Sequence, residues 1–322
     1  MAGRYEIPSR RPPGGSAAWD AAAIVVLRAM LNTYHALTVS EIEARASDRT
    51  WNAILWPWPI DPHHFTNART ALFAAGEIEP TSLPTRSHAD PITTWSRVPV
   101  RGLRRSIEAA AARKRLLTAR HAGWAHRGGA GRGLIGKAGE DAVHAAMTDP
   151  SSQLARVSGS TSELLGIPLL GEVDDSAFYV DVDNGTPTAI TVMVEVKNAR
   201  SWYYADHPDL HRFLSKAAHL QAQRPDILIF PIFVCRRVHF KLWELGESQG
   251  FLPARVLQQL VLPDSELDQD VLSEVIDGLG FQDLRLGNAP TSRHRGIFAT
   301  SLPKRARAYA ERWQASHGVY LP

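Results

Sequence analysis

Cysteine is almost absent from this sequence: Cys235 is the single one in 322 residues. One thiol allows neither an internal disulfide nor a cysteine-based zinc site, which excludes a disulfide-stapled secreted domain and a zinc-finger reader. A reducing, cytoplasmic setting is expected. Long apolar runs are missing too. The longest, around Ile227–Val234, falls far short of the roughly 20 residues of a membrane-spanning helix, so no membrane association is expected. Residues 1–16 hold bases and prolines with no apolar stretch beside them, which predicts a short disordered tail rather than a signal peptide. Net charge is also scarce, at +3 from 36 Lys+Arg against 33 Asp+Glu.

That near-balance hides a segregation. Arg97 to Lys137 contains eleven Lys/Arg and the single acid Glu108, whereas acids outnumber bases from Glu244 to Asp283. A concentrated block of positive charge is the footprint expected where phosphates are neutralised. The plainer alternative is an arginine-rich, solvated helix.

At roughly 100–200 residues per domain, the length predicts two domains. Apolar residues at helical spacing mark Trp19–Tyr34, and Ser40 suits the cap of a short helix containing Ile42. A further helix is predicted from Asp61-Pro62 to a stop at Gly76, followed by two short strands near Glu77–Pro80 and Ile92–Val98. Helix, short helix, helix, hairpin resembles a winged helix-turn-helix domain over residues 17–100. In such a domain the second helix of the pair reads the major groove, which would make His63, His64, Thr66, Asn67 and Arg69 the readers. A helical protein-protein module is the competing reading.

Residues 101–135 predict a basic helical connector. Leu103, Ile107, Ala110, Ala111 and Leu117 make its apolar stripe, and Arg101, Arg104, Arg105, Arg113, Lys114 and Arg115 supply cations for a DNA backbone. Four glycines between Arg127 and Gly133 suit a joint, while a P-loop is disfavoured because Ala138 follows Gly136-Lys137.

The second half carries the chemistry. A helix containing Glu140 precedes a strand, Ile167–Val173, that leads into Asp174. Two β-rich runs, Ala177–Val182 and Ala189–Lys197, then flank Asp183-Asn184-Gly185, a strong hairpin signal. Asp174 and Glu195 would thereby be brought together, although Asp175 competes with Asp174. Glu195 and Lys197, two apart on a strand, share a face. Two carboxylates closing an apolar run need a partner, and an oxygen-only donor set suits Mg²⁺, with Mn²⁺ as a substitute. The alternative is a Glu195/Lys197 surface salt bridge with Asp174 in a turn.

The combination of Gly171-Glu172-Val173-Asp174 with Val194-Glu195-Val196-Lys197, 20 residues intervening between Asp174 and Glu195, resembles the PD-(D/E)xK, or restriction-endonuclease-like, nuclease superfamily. The leading Pro-Asp pair is missing, since Val173 precedes the acid. The resemblance implies an α/β fold with a mixed-sheet α-β-β-β-α-β core in residues 136–322, extended by a C-terminal helix. It implies a metal held by Asp174, Glu195 and the Val196 carbonyl, activation of water by Lys197 and support from Glu140. The expected protein is a Mg²⁺-dependent DNA endonuclease of restriction or defence type, working on double-stranded DNA as a homodimer. A DNA-binding or regulatory protein that keeps the fold without the activity, and a junction or repair nuclease, are the alternatives.

Overall fold

The computed structural model describes residues 15–85, 88–100, 102–127, 133–183, 186–265 and 267–321. The chain is mixed α/β and divides into two compact units. One comprises Met1–Gly123 with Asp270–Gln282, the other Trp124–Gln269 with Asp283–Pro322.

The first unit begins with α1 (Gly15–Tyr34), β1 (Ala36–Thr38) and α2 (Val39–Ile42), which passes into a π-helical turn at Glu43–Ser47. Thr38, not Ser40, caps α2: its extended backbone lets the hydroxyl accept the Glu41 amide hydrogen at 3.3 Å. Helix α3 (Pro62–Ala74) starts with proline where no helical amide partner is needed. Strands β2 (Ile78–Thr85) and β3 (His88–Arg97) follow, and β1 pairs antiparallel with β3 to give the order β1-β3-β2. Strand β1 was not expected from the sequence. Leu27, Met30, Leu31, Leu37, Ile42, Phe65 and Leu72 form the core.

Helix α4 (Arg104–Trp124) buries Ile107, Ala111 and Leu117, while Leu103 remains exposed. Its residues up to Gly123 fall within the first unit, and Trp124 opens the second. Residues 128–132, which include most of the glycine-rich joint, lie outside the described residues.

The second unit opens with α5 (Gly133–Met147), followed by β4 (Leu154–Ala155), β5 (Thr161–Leu164), β6 (Ile167–Val173), β7 (Asp175–Asp183) and β8 (Thr186–Tyr203). Helix α6 (Pro208–Gln223) leads to β9 (Leu228–Val238), α7 (Phe240–Gln249), β10 (Leu252–Arg255) and β11 (Gln259–Val261). Helix α8 (Gln269–Leu279) is counted with the first unit from Asp270 onward. The chain then completes the second unit with β12 (Leu284–Leu286), α9 (Ser292–Gly296) and α10 (Leu302–Ser316).

Five strands form one mixed sheet in the order β10-β9-β8-β7-β4. The β7–β8 hairpin is antiparallel and closes at Asp183↔Thr186. Residues 184 and 185, where the turn was expected, lie outside the described residues. Strands β8, β9 and β10 run parallel, and α6 and α7 supply the crossovers that parallel neighbours need. Strand β6, expected as a core strand, pairs instead with β5 in a separate two-stranded ladder, and β4 takes the place beside β7.

Both faces of the large sheet are covered, so β9 is buried almost throughout. Val192, Val194 and Val196 pack with Val143 and Met147 of α5 and Ala306 and Tyr309 of α10. Met193, Phe233 and Cys235 pack on the other side with Leu210, Phe213 and Leu214 of α6.

Candidate functional site

The strand alternation that buries Val194 and Val196 sends Glu195 and Lys197 to the α6 side of the sheet. There, Lys197 Nζ donates to Glu195 Oε1 at 2.6 Å. Lys216 of α6 donates to the other carboxylate oxygen, Oε2, at 3.0 Å, and also to the Glu172 carbonyl. Glu195 is thus a buried carboxylate clasped by two ammonium groups, with its side chain 8% exposed.

Asp174 sits between β6 and β7 and faces the same group. Its Oδ2 accepts the Val196 amide hydrogen at 2.7 Å. Burial first, and then the charges of Glu195 and Glu140, hold the Asp174 carboxyl up at about 6, against the opposing pull of the Val196 amide and Lys197. Burial by itself would lower the Lys197 ammonium, but Glu195, Asp174 and Asp209 together raise it.

The four positions singled out in the sequence, Glu140, Asp174, Glu195 and Lys197, are therefore neighbours, with Val196 between the last two. No family model, curated protein or solved structure matches this chain.

The two adjacent acids have different surroundings. Asp175 turns toward α5, where Oδ2 lies 2.7 Å from His144 Nδ1, and its Oδ1 accepts the amide hydrogens of Gly159 and Ser176 at 3.0 and 2.9 Å. Asp174, not Asp175, is the acid beside Glu195.

The helix bearing Glu140 is fixed by Asn198. Its side chain donates to the carbonyls of Ile135 and Leu260 at 2.7 Å each and accepts the Leu260 amide hydrogen at 3.0 Å. Gly139 makes this close approach feasible: a Cβ there would stand 2.5 Å from Asn198 Cβ. Neither Asn198 nor Lys216 was singled out in the sequence. Lys216 carried no local motif, because only the pairing of β8 with its neighbours reveals which residue of α6 faces Glu195. Gln221, by contrast, is buried and donates to the Arg224 and Ile227 carbonyls, closing the end of α6. Cys235 is buried, and burial pushes its thiol up, as suits an inert side chain.

The residues expected to meet DNA divide into three groups. His64 is buried, 2.7 Å from Asp20 Oδ1 and stacked on Trp19, so it belongs to the core and not to a reading surface. Lys114 is likewise not a surface cation. It is buried 2.5 Å from Glu41 Oε1 and also donates to the Gly278 carbonyl, because Glu41 is 0% exposed and needs a counter-charge. Asn67 donates to Asp20 at 3.0 Å, Arg69 lies over Trp95 and bonds Thr66, and Arg115 bonds Thr94. Arg104, Arg105 and Arg113 are exposed, with Arg104 paired to Glu108. Arg101 lies outside the described residues.

Proposed function

We propose that this protein is a divalent-metal-dependent DNA endonuclease of the restriction-endonuclease-like class. In this reading the second unit hydrolyses phosphodiesters and the first, winged-helix-like unit holds the duplex. The observation that carries it is the convergence of Glu140, Asp174, Glu195 and Lys197 at one end of the β7–β8 hairpin. The order α5, β4, β7, β8, α6, β9 with a parallel β8–β9 pair supports the expected α-β-β-β-α-β core. In the first unit, the order α1-β1-α2-α3-β2-β3 and sheet order β1-β3-β2 support the winged-helix reading.

The side chains fit a hard dication. All the donors are oxygens, and the raised Asp174 carboxyl reflects a surplus of negative charge that a cation relieves. Asp174, Glu195 and the Val196 carbonyl would hold it. Within a strand, a residue's N–H and C=O point to the same side. Because the Val196 N–H turns to Asp174 rather than to β9, its carbonyl is directed there as well. Bound Mg²⁺ or Mn²⁺ would supply Lewis-acid polarisation of a phosphoryl oxygen.

The protein's own groups divide the remaining work. The Lys197 ammonium positions the attacking water and stabilises charge that grows on the phosphoryl oxygens. Glu140 accepts a hydrogen bond from that water and keeps it oriented. Arg104, Arg105 and Arg113, with the outer side of α3 at Thr66, Asn67 and Arg69, serve the duplex. Cleavage of both strands calls for a homodimer, since one site hydrolyses one strand at a time. A bacterial restriction or defence role in the cytoplasm fits the pairing of a duplex reader with a nuclease.

The test is supercoiled plasmid incubated with Mg²⁺ or Mn²⁺, with and without chelator. Nicking or linearisation that requires the metal is expected, with loss on the order of 10²–10³-fold in Glu195→Ala and Lys197→Ala. Cleavage by Glu195→Ala at the wild-type rate would overturn the assignment, and binding without cleavage would favour a non-catalytic DNA-binding protein.

A further inference from the structure

Helix α5 contributes a second functional side chain one turn beyond Glu140. His144 is four residues on, so it lies on the same side of the helix, about 6 Å further along the axis. Its Nδ1 is held 2.7 Å from Asp175 Oδ2. Asp175 is itself 2% exposed and fixed by the Gly159 and Ser176 amides, so the imidazole is braced by a carboxylate that cannot swing. The His144 side chain is nonetheless 46% exposed, and among the described residues its Nε2 has no hydrogen bond.

The consecutive acids at the head of β7 therefore serve two adjacent groups. Asp174 belongs to the carboxylate cluster with Glu195 and Glu140. Asp175 aims a ring nitrogen outward beside that cluster. With one ring nitrogen held by Asp175, the other is placed to donate its N–H to an arriving oxyanion. An offset of about 6 Å along the helix can span the step to a neighbouring phosphate, since consecutive phosphates of one strand advance only about 3.4 Å along the duplex axis.

We propose that His144, braced by Asp175, contacts a non-bridging oxygen of the phosphate next to the one hydrolysed, so that the site prefers a polynucleotide to an isolated phosphodiester. This rests on the phosphodiesterase reading of the same site. His144 is then a substrate-contacting residue and Asp175 a positioning residue. No proton needs to be exchanged with the reacting atoms.

Two substrates separate this role from a structural one: a fluorescent duplex oligonucleotide, and bis(p-nitrophenyl) phosphate, which has a single phosphate. With Mn²⁺, His144→Gln is expected to raise KM for the duplex on the order of 10-fold while kcat and the small-diester kcat/KM stay within about 2-fold. His144→Arg keeps an N–H donor for an oxyanion at the position and is expected to return KM to within about 3-fold of wild type. Asp175→Asn is expected to shift KM in the same direction as His144→Gln by a smaller factor. An unchanged duplex KM in His144→Gln, or equal losses on both substrates, overturns the proposal while leaving the phosphodiesterase reading intact. Wild-type protein inert toward both substrates overturns that reading and the role of His144 together.

Discussion

Asp174 and Val196 are joined across the open end of the β7–β8 hairpin, the Val196 amide donating to Asp174 Oδ2 at 2.7 Å. The bond lies beyond the terminal β7–β8 pair, Asp175↔Val194, so it takes over where strand pairing stops. It fixes the first acid against the strand that carries Glu195 and Lys197 without any need for a metal. The carboxylate arrangement is thereby built into the fold, and its electrostatic cost is present before any cation binds.

That cost is measurable at Asp174. Its native carboxyl, held at about 6 by burial and by Glu195, binds its proton more tightly than the unfolded chain does near 3.8. The associated stability is complete below about pH 3.8 and is lost as pH rises through 6. In chelator at pH 7.5, Asp174→Asn is expected to be more stable than wild type by about 1–3 kcal/mol, with the gap closing toward pH 4. Urea unfolding of the two proteins at both pH values checks this, and an Asn variant less stable at pH 7.5 would count against it.

Lys216 is expected to act as a stand-in cation for Glu195. Lys216→Met leaves a buried carboxylate with one ammonium instead of two. In chelator it should lower stability by about 1–3 kcal/mol. Saturating Mg²⁺ should narrow that gap. Thermal melts with and without the metal decide, and a gap insensitive to Mg²⁺ would sink the idea.

Neighbouring cations on α4 are expected to behave oppositely. Lys114→Met strips a counter-charge from buried Glu41, whose carboxyl is already raised by burial, and should cost about 3–5 kcal/mol. Arg113→Ala, at an exposed position, should leave stability within about 0.5 kcal/mol. It should reduce the salt slope of duplex binding by about 1. Denaturant melts and salt-titrated anisotropy read the two effects separately.

His294 predicts acid sensitivity in the second unit. Burial first, and then Arg295, lowers its imidazole to about 4. Its neutral Nδ1 accepts the Thr291 amide hydrogen at 3.2 Å in the capping box of α9. A depressed native value means the contribution is present above about 6.5 and is lost as pH falls toward 4. Wild type should lose about 2 kcal/mol between pH 7 and 5 relative to His294→Gln, which retains an acceptor for the cap. Parallel urea titrations at the two pH values provide the check.

What the sequence revealed depended on how local the determining interactions are. The hairpin register follows from the Asp-Asn-Gly signal and β-rich flanks, so the approach of Asp174 to Glu195 was legible, as was a helix carrying Glu140. The burial of Lys114 and His64 was not legible, because their neighbours in sequence look solvated. Only tertiary pairing shows that Glu41 and Asp20 claim them. The β11–β12 ladder joins strands separated by α8, and nothing local announces such a pairing. Lys216 and His144 were overlooked for a related reason: each acts through a partner on another element, Glu195 or Asp175.

The course of the chain through α8 bears on how the protein is made. Arg45 donates to the Asp277 and Gly278 carbonyls, Lys114 to the Gly278 carbonyl, and a Cβ on Gly278 would stand 2.2 Å from Leu117 Cδ1. These contacts belong to the unit that begins the chain, yet one side of each arrives only with Asp270–Gln282. On the ribosome, at about 5–20 residues per second, the N-terminal segment waits on the order of ten to thirty seconds for its last helix. During that interval Glu41 and Lys114 lack their finished surroundings, and a nascent chain halted near residue 260 would present an incomplete module to proteases and chaperones.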